Sequence, residues 1–282
     1  MSDPRRIYFL AGLPRSGSTL LANILVQHPR IHVTGTSGIV DMLVQVRNGW
    51  DRLREFRAME RRTSEQVKAN VLKAMLQGYF AHVDRPICID KNRRWPEFLE
   101  MGAELVGGRD RLKVLVAVRD LRDVLASFEK LYRKTSALGQ VPLDAERGAK
   151  FKTALGRAEV LMEEERAVGR AYNAIRDAVT RGWKDRMHFI DYEDLTRKPG
   201  ETMNGVYRFL GEAGHPHDYE HVDQVTFEDD LAYGFRDLHV IRAKVEPQPP
   251  SWPKVFDDAV LHSPGWKNIE SIAEFWKLYL KA

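Results

Sequence analysis

Gly12-Leu13-Pro14-Arg15-Ser16-Gly17-Ser18-Thr19 follows the apolar run Ile7–Ala11 and leads into a helical pattern that reaches about Gln27, where His28-Pro29 stops it. An apolar run, a glycine-bearing turn and a helix in that order read as a strand–turn–helix unit. The free N–H groups and positive dipole of a helix start suit an anion held in such a turn. Gly12 and Gly17 let the backbone curl close to phosphate oxygens. Ser16, Ser18 and Thr19 add hydroxyl donors. Both glycines and the final threonine fit the P-loop pattern, but Ser18 stands where its lysine belongs. The loop's cation is Arg15 instead. A glycine turn with no ligand is the bland alternative, and four donor side chains between Pro14 and Thr19 weigh against it.

Working outward, short apolar runs alternate with amphipathic ones, as expected for a parallel sheet flanked by helices. Ile31–Thr34 and Ile87–Ile89 read as the second and third strands. Leu112–Val118 is apolar at nearly every position, the mark of a central parallel strand. His188–Asp191 makes a further strand. Val67, Val71, Met75, Tyr79 and Val83 recur at four-residue spacing and predict a helix over 64–82, with Thr63 and Gln66 as a capping box. Pro96 opens a helix towards Val106. Asp120 is placed to cap a helix to about Tyr132, and a charged helical stretch runs from Leu143 to Arg181. Pro199–Leu210 is a helix closed by Gly211. The proline-rich segment Phe235–Pro253 reads as a loop laid over the core. A last helix, Ser271–Lys281, would pack Ile272, Phe275, Trp276 and Tyr279. With no repeat and no linker, the expectation is one domain over residues 1–282, with helical insertions.

The bulk numbers fit that picture. Of 282 residues, 43% are hydrophobic and 30% charged, an ordinary globular composition. Lysine and arginine number 44 against 40 acids, an excess that suits an anionic ligand but is too small to imply nucleic acid. The single cysteine, Cys88, excludes an intramolecular disulfide and reads as a buried thiol. No apolar stretch is long enough to span a membrane, and nothing at the N-terminus resembles a signal peptide. The expected compartment is cytoplasmic.

A second anion site is written just after the central strand. Arg119 sits at its carboxyl end, where ligands bind in open α/β sheets, and Ser127 follows about two helical turns later, roughly 10 Å along the axis. A long Arg119 side chain could turn back so that guanidinium and hydroxyl meet at one phosphate. Taken alone, such a run more often means a salt bridge of Arg122 with a nearby acid.

With both motifs in order, the chain resembles the PAPS-dependent sulfotransferase family (PAPS is 3′-phosphoadenosine 5′-phosphosulfate). Pro14–Thr19 is similar to its 5′-phosphosulfate loop in the arginine form common among bacterial and tyrosylprotein sulfotransferases. Arg119…Ser127, with Arg122-Asp123 inside it, resembles its 3′-phosphate motif. Tyr192-Glu193-Asp194-Leu195, Lys198-Pro199 and Phe209-Leu210-Gly211 resemble its segment near the adenine. The resemblance implies a P-loop-like fold with a central parallel sheet, and sulfuryl transfer from PAPS to a hydroxyl or amine without a metal. It gives Pro14, Arg15, Ser16, Gly17, Ser18 and Thr19 to the 5′-phosphosulfate, Arg119 and Ser127 to the 3′-phosphate, and Tyr192 to the adenine. Lys91 matches a family lysine that touches the transferring sulfonate. Arg242 and Lys244, in Leu238–Lys244, could cover the nucleotide; a solvated basic loop is the alternative.

The general base is the gap. Relatives often supply a glutamate about twenty residues past the loop, but Thr34-Gly35-Thr36-Ser37-Gly38 holds no acid. A histidine after the third-strand lysine is the other location, and Arg93 stands there. Asp41 is the first candidate, with helix capping as its ordinary alternative; His32 reads as packing, and Asp90 could orient Lys91. His215, His217 and His221 read as surface residues of a turn. A P-loop kinase or nucleotidase with Asp191 as the magnesium-binding acid is the rival enzyme, and a catalytically silent nucleotide-binding protein is the rival without chemistry. The acceptor pocket is expected from Thr34–Trp50, the helix from Leu143 and the late loop; Met42, Trp50 and Phe56 there fit a small metabolite, a lipid head group or a peptide equally.

Overall fold

The computed structural model describes residues 5–139 and 148–281. Five strands form one sheet: β1 (Arg6–Gly12), β2 (Ile31–Thr36), β3 (Ile87–Lys91), β4 (Val114–Val118) and β5 (Met187–Asp191). They are parallel and lie in the order β2-β3-β1-β4-β5. Every residue of β4 is buried, as a strand covered on both faces requires. Along β1 successive side chains point to opposite faces. Ile7, Phe9 and Ala11 join the core that holds Trp95, Leu121 and Trp266. Tyr8 and Leu10 join the other, with Leu21, Ile89 and Tyr207.

The helices of the first half are α1 (Ser18–Leu25), α2 (Ile39–Trp50), α3 (Arg54–Ala58), α4 (Arg61–Tyr79), α5 (Leu99–Val106) and α6 (Leu121–Ala137). Those of the second are α7 (Ala154–Met162), α8 (Ala167–Thr180), α9 (Tyr192–Arg197), α10 (Pro199–Leu210), α11 (Trp252–Val255), α12 (Asp258–Leu261) and α13 (Pro264–Lys281). Asp120 caps α6, its carboxylate accepting from the Arg122 N–H at 2.9 Å, and Gly211 closes α10 at φ 68°. Among the described residues no helix is long and apolar enough to cross a membrane.

Four expectations change. The sequence reading has no helix α2, whose start carries no side-chain cap, yet Ile39, Val40, Leu43 and Trp50 bury one side of it. Helix α4 starts at Arg61, three residues early, because Glu60 accepts from the N–H groups of Arg62 and Thr63 at 2.8 and 2.7 Å; its buried positions are Ser64, Leu72 and Leu76, beside the four-residue row. The charged stretch from Leu143 is broken: residues 143–147 lie outside the described residues, and α7 and α8 are separate helices. Finally, α13 begins at Pro264, placing Trp266 and Trp276 in the core, while Phe275 stays exposed.

The strand order fixes where a ligand belongs. From β1 the chain winds outward to β2, returns through β3, then crosses beyond β1 to β4 and β5. The crevice at the carboxyl ends of β1 and β4 is therefore the topological switch point, where open α/β sheets bind ligands. Gly12 ends β1 and Arg119 follows β4.

Candidate active site

The turn after β1 is set by backbone geometry. Gly12 adopts φ 141°, and a Cβ there would lie 2.1 Å from the Ala117 carbonyl oxygen, so β4 leaves room only for glycine. Gly17 is left-handed at φ 85° and caps α1; a Cβ on it would meet the Tyr192 ring at 2.5 Å. Arg15 also lies in the left-handed region, at φ 61°, a conformation uncommon outside glycine and often found at functional sites. It aims the guanidinium into a cleft of about 620 Å³ lined by Pro14, Arg15, Gly17, Ser18, Thr19, Lys91, Arg119, Ser127, Tyr192, Arg242 and Lys244 among others.

The two phosphate motifs meet in that cleft. Arg15 Nε donates to Ser127 Oγ at 3.0 Å, and Arg119 Nη1 donates to the Arg15 carbonyl at 3.4 Å. The Arg119 guanidinium lies 4.4 Å from the centroid of the Tyr192 ring. Burial, with the Arg119 charge second, pushes Arg15 down to about 10, so it stays cationic at neutral pH. Arg119 Nη2 lies 3.7 Å from Asp123, and two guanidiniums held this close favour an anion beside them. Arg122 belongs elsewhere: it pairs with Asp120 at 2.7 Å and Glu274 at 2.9 Å, the salt-bridge alternative. Asp123 accepts from the Ser251 N–H at 2.7 Å and the Trp252 N–H at 3.3 Å, fastening the end of the late segment to α6.

Several singled-out residues are placed outside the cleft. Ser16 is buried, with its hydroxyl donating to the carbonyls of Leu13 and Ala117 at 2.6 and 2.9 Å; it shapes the turn and presents no hydroxyl to a ligand. Asp41 pairs with Arg94 and lies 3.5 Å from Asn92 Nδ2; Asn92 lines the cleft and Asp41 does not. Asp90 cannot orient Lys91, because neighbours on a strand face opposite sides; its carboxylate accepts from Trp95 Nε1 at 2.7 Å, and burial raises it to about 6. His32 packs near Phe80 and His82. Cys88 is buried, and burial pushes its thiol up to about 11. Asp191 caps α9, accepting from the Glu193 N–H at 2.7 Å. His217 is a packing residue, hydrogen-bonded to the Tyr207 hydroxyl at 2.8 Å, with burial pressing it down to about 4.

The site also contains groups that the sequence reading passed over. Lys91 Nζ donates to Thr19 Oγ1 at 3.2 Å and pairs with Glu228 at 2.8 Å. Glu228 lies 3.3 Å from His239 Nε2, whose Nδ1 is 2.6 Å from Asp230. Asn23 of α1 positions this segment: its Oδ1 accepts from the N–H groups of Val225 and Thr226 at 2.7 and 3.1 Å. Its Nδ2 donates to Thr226 Oγ1 at 2.9 Å. In sequence, Glu228-Asp229-Asp230 is an ordinary solvated acid run; the local hint was a polar Asn23 within the apolar run Leu20–Leu25.

A family model described as the sulfotransferase family matches residues 8–216, spanning both phosphate motifs and reaching from within β1 past β5. The chain belongs to the sulfotransferase family. It is 26% identical over 221 residues to the protein-tyrosine sulfotransferase of Drosophila melanogaster, covering 74% of this chain and 40% of that protein. The chain thus spans less than half the length of that relative. Among solved structures, the sulfotransferase domain of the Synechococcus PCC 7002 olefin synthase superposes with a TM-score of 0.57 at 19% identity, covering 98% of this chain and 96% of that one. A retinol dehydratase in complex with androsterone and the inactive cofactor PAP (3′,5′-adenosine bisphosphate) gives 0.50 at 15% identity, covering 97% and 80%. These likenesses establish the sulfotransferase fold. The family match ends at residue 216, so the segment that carries Glu228 and His239 lies beyond it.

Proposed function

We propose that this sulfotransferase-family chain moves a sulfuryl group from PAPS to a hydroxyl or amine of a small-molecule, lipid or peptide acceptor, releasing PAP. The observation that carries the reading is the meeting of Arg15, Arg119 and Ser127 at the switch point, where two anionic groups can be held at once. The Pro14–Thr19 turn takes the 5′-phosphosulfate, with the backbone N–H groups of residues 16–19 and the Ser18 and Thr19 hydroxyls donating. Arg119 and Ser127 take the 3′-phosphate, and the Tyr192 ring flanks the nucleotide. Arg242 and Lys244 line the same cleft and could cover the nucleotide. As the sulfur–oxygen bond breaks, Arg15 and Lys91 neutralise the charge that develops on the leaving phosphate. Since none of these roles calls on a carboxylate-bound cation, we read the transfer as metal-independent. The bound PAP of the retinol dehydratase supports the choice of donor.

Melting temperature tests this directly. PAP at about one hundred times its dissociation constant adds roughly 2.7 kcal/mol, a rise of several degrees for a chain this size. A rise with ATP and magnesium but none with PAP would show a triphosphate site and overturn the assignment.

A further inference from the structure

Sulfuryl transfer to a hydroxyl needs a group that removes the acceptor's proton. Asp41 is engaged with Arg94 outside the cleft, Asp90 faces the other side of the sheet, and Thr34–Gly38 contributes no acid. Glu228 fills the place that these leave open. A Cβ built on Gly35 would meet Glu228 Cγ at 3.1 Å and Oε1 at 3.4 Å, so the late segment delivers a carboxylate into the space that a side chain at position 35 would occupy. That carboxylate is only 5% exposed and sits against Lys91, itself in contact with Thr19 of the phosphate turn. Its Oε2 is buried and accepts no hydrogen bond, although His239 Nε2 stands 3.3 Å away.

We propose that Glu228 is the general base, covered by Lys91 until a phosphosulfate group draws the lysine away, with His239 and Asp230 as positioning residues. This rests on the sulfuryl-transfer reading above. In the step, the acceptor oxygen bonds to sulfur while the bond from sulfur to the 5′-phosphate oxygen breaks. The electron pair of that bond leaves on the phosphate, the acceptor's proton passes to Glu228, and the carboxylic acid later gives it up to solvent. The electrostatics agree with this order. Burial raises the Glu228 carboxyl, but Lys91, Thr36 and His239 together hold it below the usual carboxylate range. Losing Lys91 to the donor removes the strongest of those restraints and makes the carboxylate a better base. The bland alternative is an ion pair that only neutralises Lys91.

Glu228→Gln separates the two. Wild type and variant are titrated with PAP by melting temperature. They are then assayed for PAP release from PAPS in single turnover with water, 2-naphthol and 4-nitrophenolate as acceptors. The expected result is an unchanged or larger PAP-induced rise together with a loss of about 10²–10⁴-fold in rate with 2-naphthol. The loss should be smaller with 4-nitrophenolate, which has no proton to remove. Full rates with stronger PAP binding, or equal losses on both phenols, overturn the assignment and leave the ion pair. A wild-type chain that binds PAP but releases none from PAPS also overturns it, while the donor pocket stands. Absence of PAP binding by wild type condemns the sulfotransfer reading itself. Should Glu228→Gln not reach the wild-type melting profile, Glu228→Asp replaces it: retention of the charge with a tenfold or greater fall in the 2-naphthol rate supports the base, and an unchanged rate removes it.

Discussion

The donor end of the cleft and its late wall are built in opposite ways. At the donor end, strands and helix starts fix every group: Gly12 touches the backbone of β4, Gly17 caps α1, and Arg119 is the first residue after β4. The late wall, from Thr226 to Ser251, contains one short helical turn, Asp230–Tyr233. Side chains hold it: Asn23 at its start, Asp123 at its end, and the Lys134–Asp237 pair between them. A phosphate has one shape and rewards a rigid cradle of N–H groups, whereas a wall that must admit an acceptor is better tied at points than woven into the sheet.

Mutations can probe each side of this contrast. Removing the cation of the rigid side, Arg15→Ala, should lower kcat/KM by about 10²–10³-fold, or roughly 2.7–4 kcal/mol, and weaken PAP binding in the same titration; near-normal turnover would take Arg15 out of the mechanism. Asn23→Ala cuts a tie of the late wall and leaves two backbone N–H groups without acceptors. At about 1–3 kcal/mol for a buried unmet group, urea unfolding should show a loss of about 2–3 kcal/mol. Turnover should fall while the PAP-induced rise survives, because the donor cradle does not depend on that tie. Ser127→Ala should weaken PAP by about tenfold, or 1.4 kcal/mol, and leave AMP binding unchanged, since AMP lacks the 3′-phosphate. Lys244→Ala, in an exposed pair with Glu220 at 2.7 Å, should leave the unfolding curve unchanged; a clear fall in PAP affinity would show that the late wall covers the nucleotide.

The same contrast governs what could be read from the residues alone. The sheet, the phosphate turn, the Asp120 cap and the Gly211 stop were legible because each is decided within a few residues by hydrophobic period, glycine or a capping side chain. Helix α2 was not, since Gly38 offers no capping side chain and its buried stripe is short. The inward turn of the Ser16 hydroxyl was equally hidden, because it depends on a carbonyl of β4, 101 residues away. Glu228 lies 137 residues from Lys91, and no local pattern distinguishes it from the acids beside it. Asp41 looked better placed along the chain, but Arg94 claims it.

The boundary at residue 216 also bears on how such a site changes over generations. Both proposed phosphate motifs precede it, while the carboxylate proposed to act on the acceptor, like Arg242 and Lys244 of the cleft lining, follows it on a tether fastened by a handful of side chains. On the proposed reading, substitutions and length changes after that boundary would retune the acceptor without disturbing the cradle. A lineage could thus inherit one way of holding an activated sulfate and repeatedly exchange the molecule that receives it.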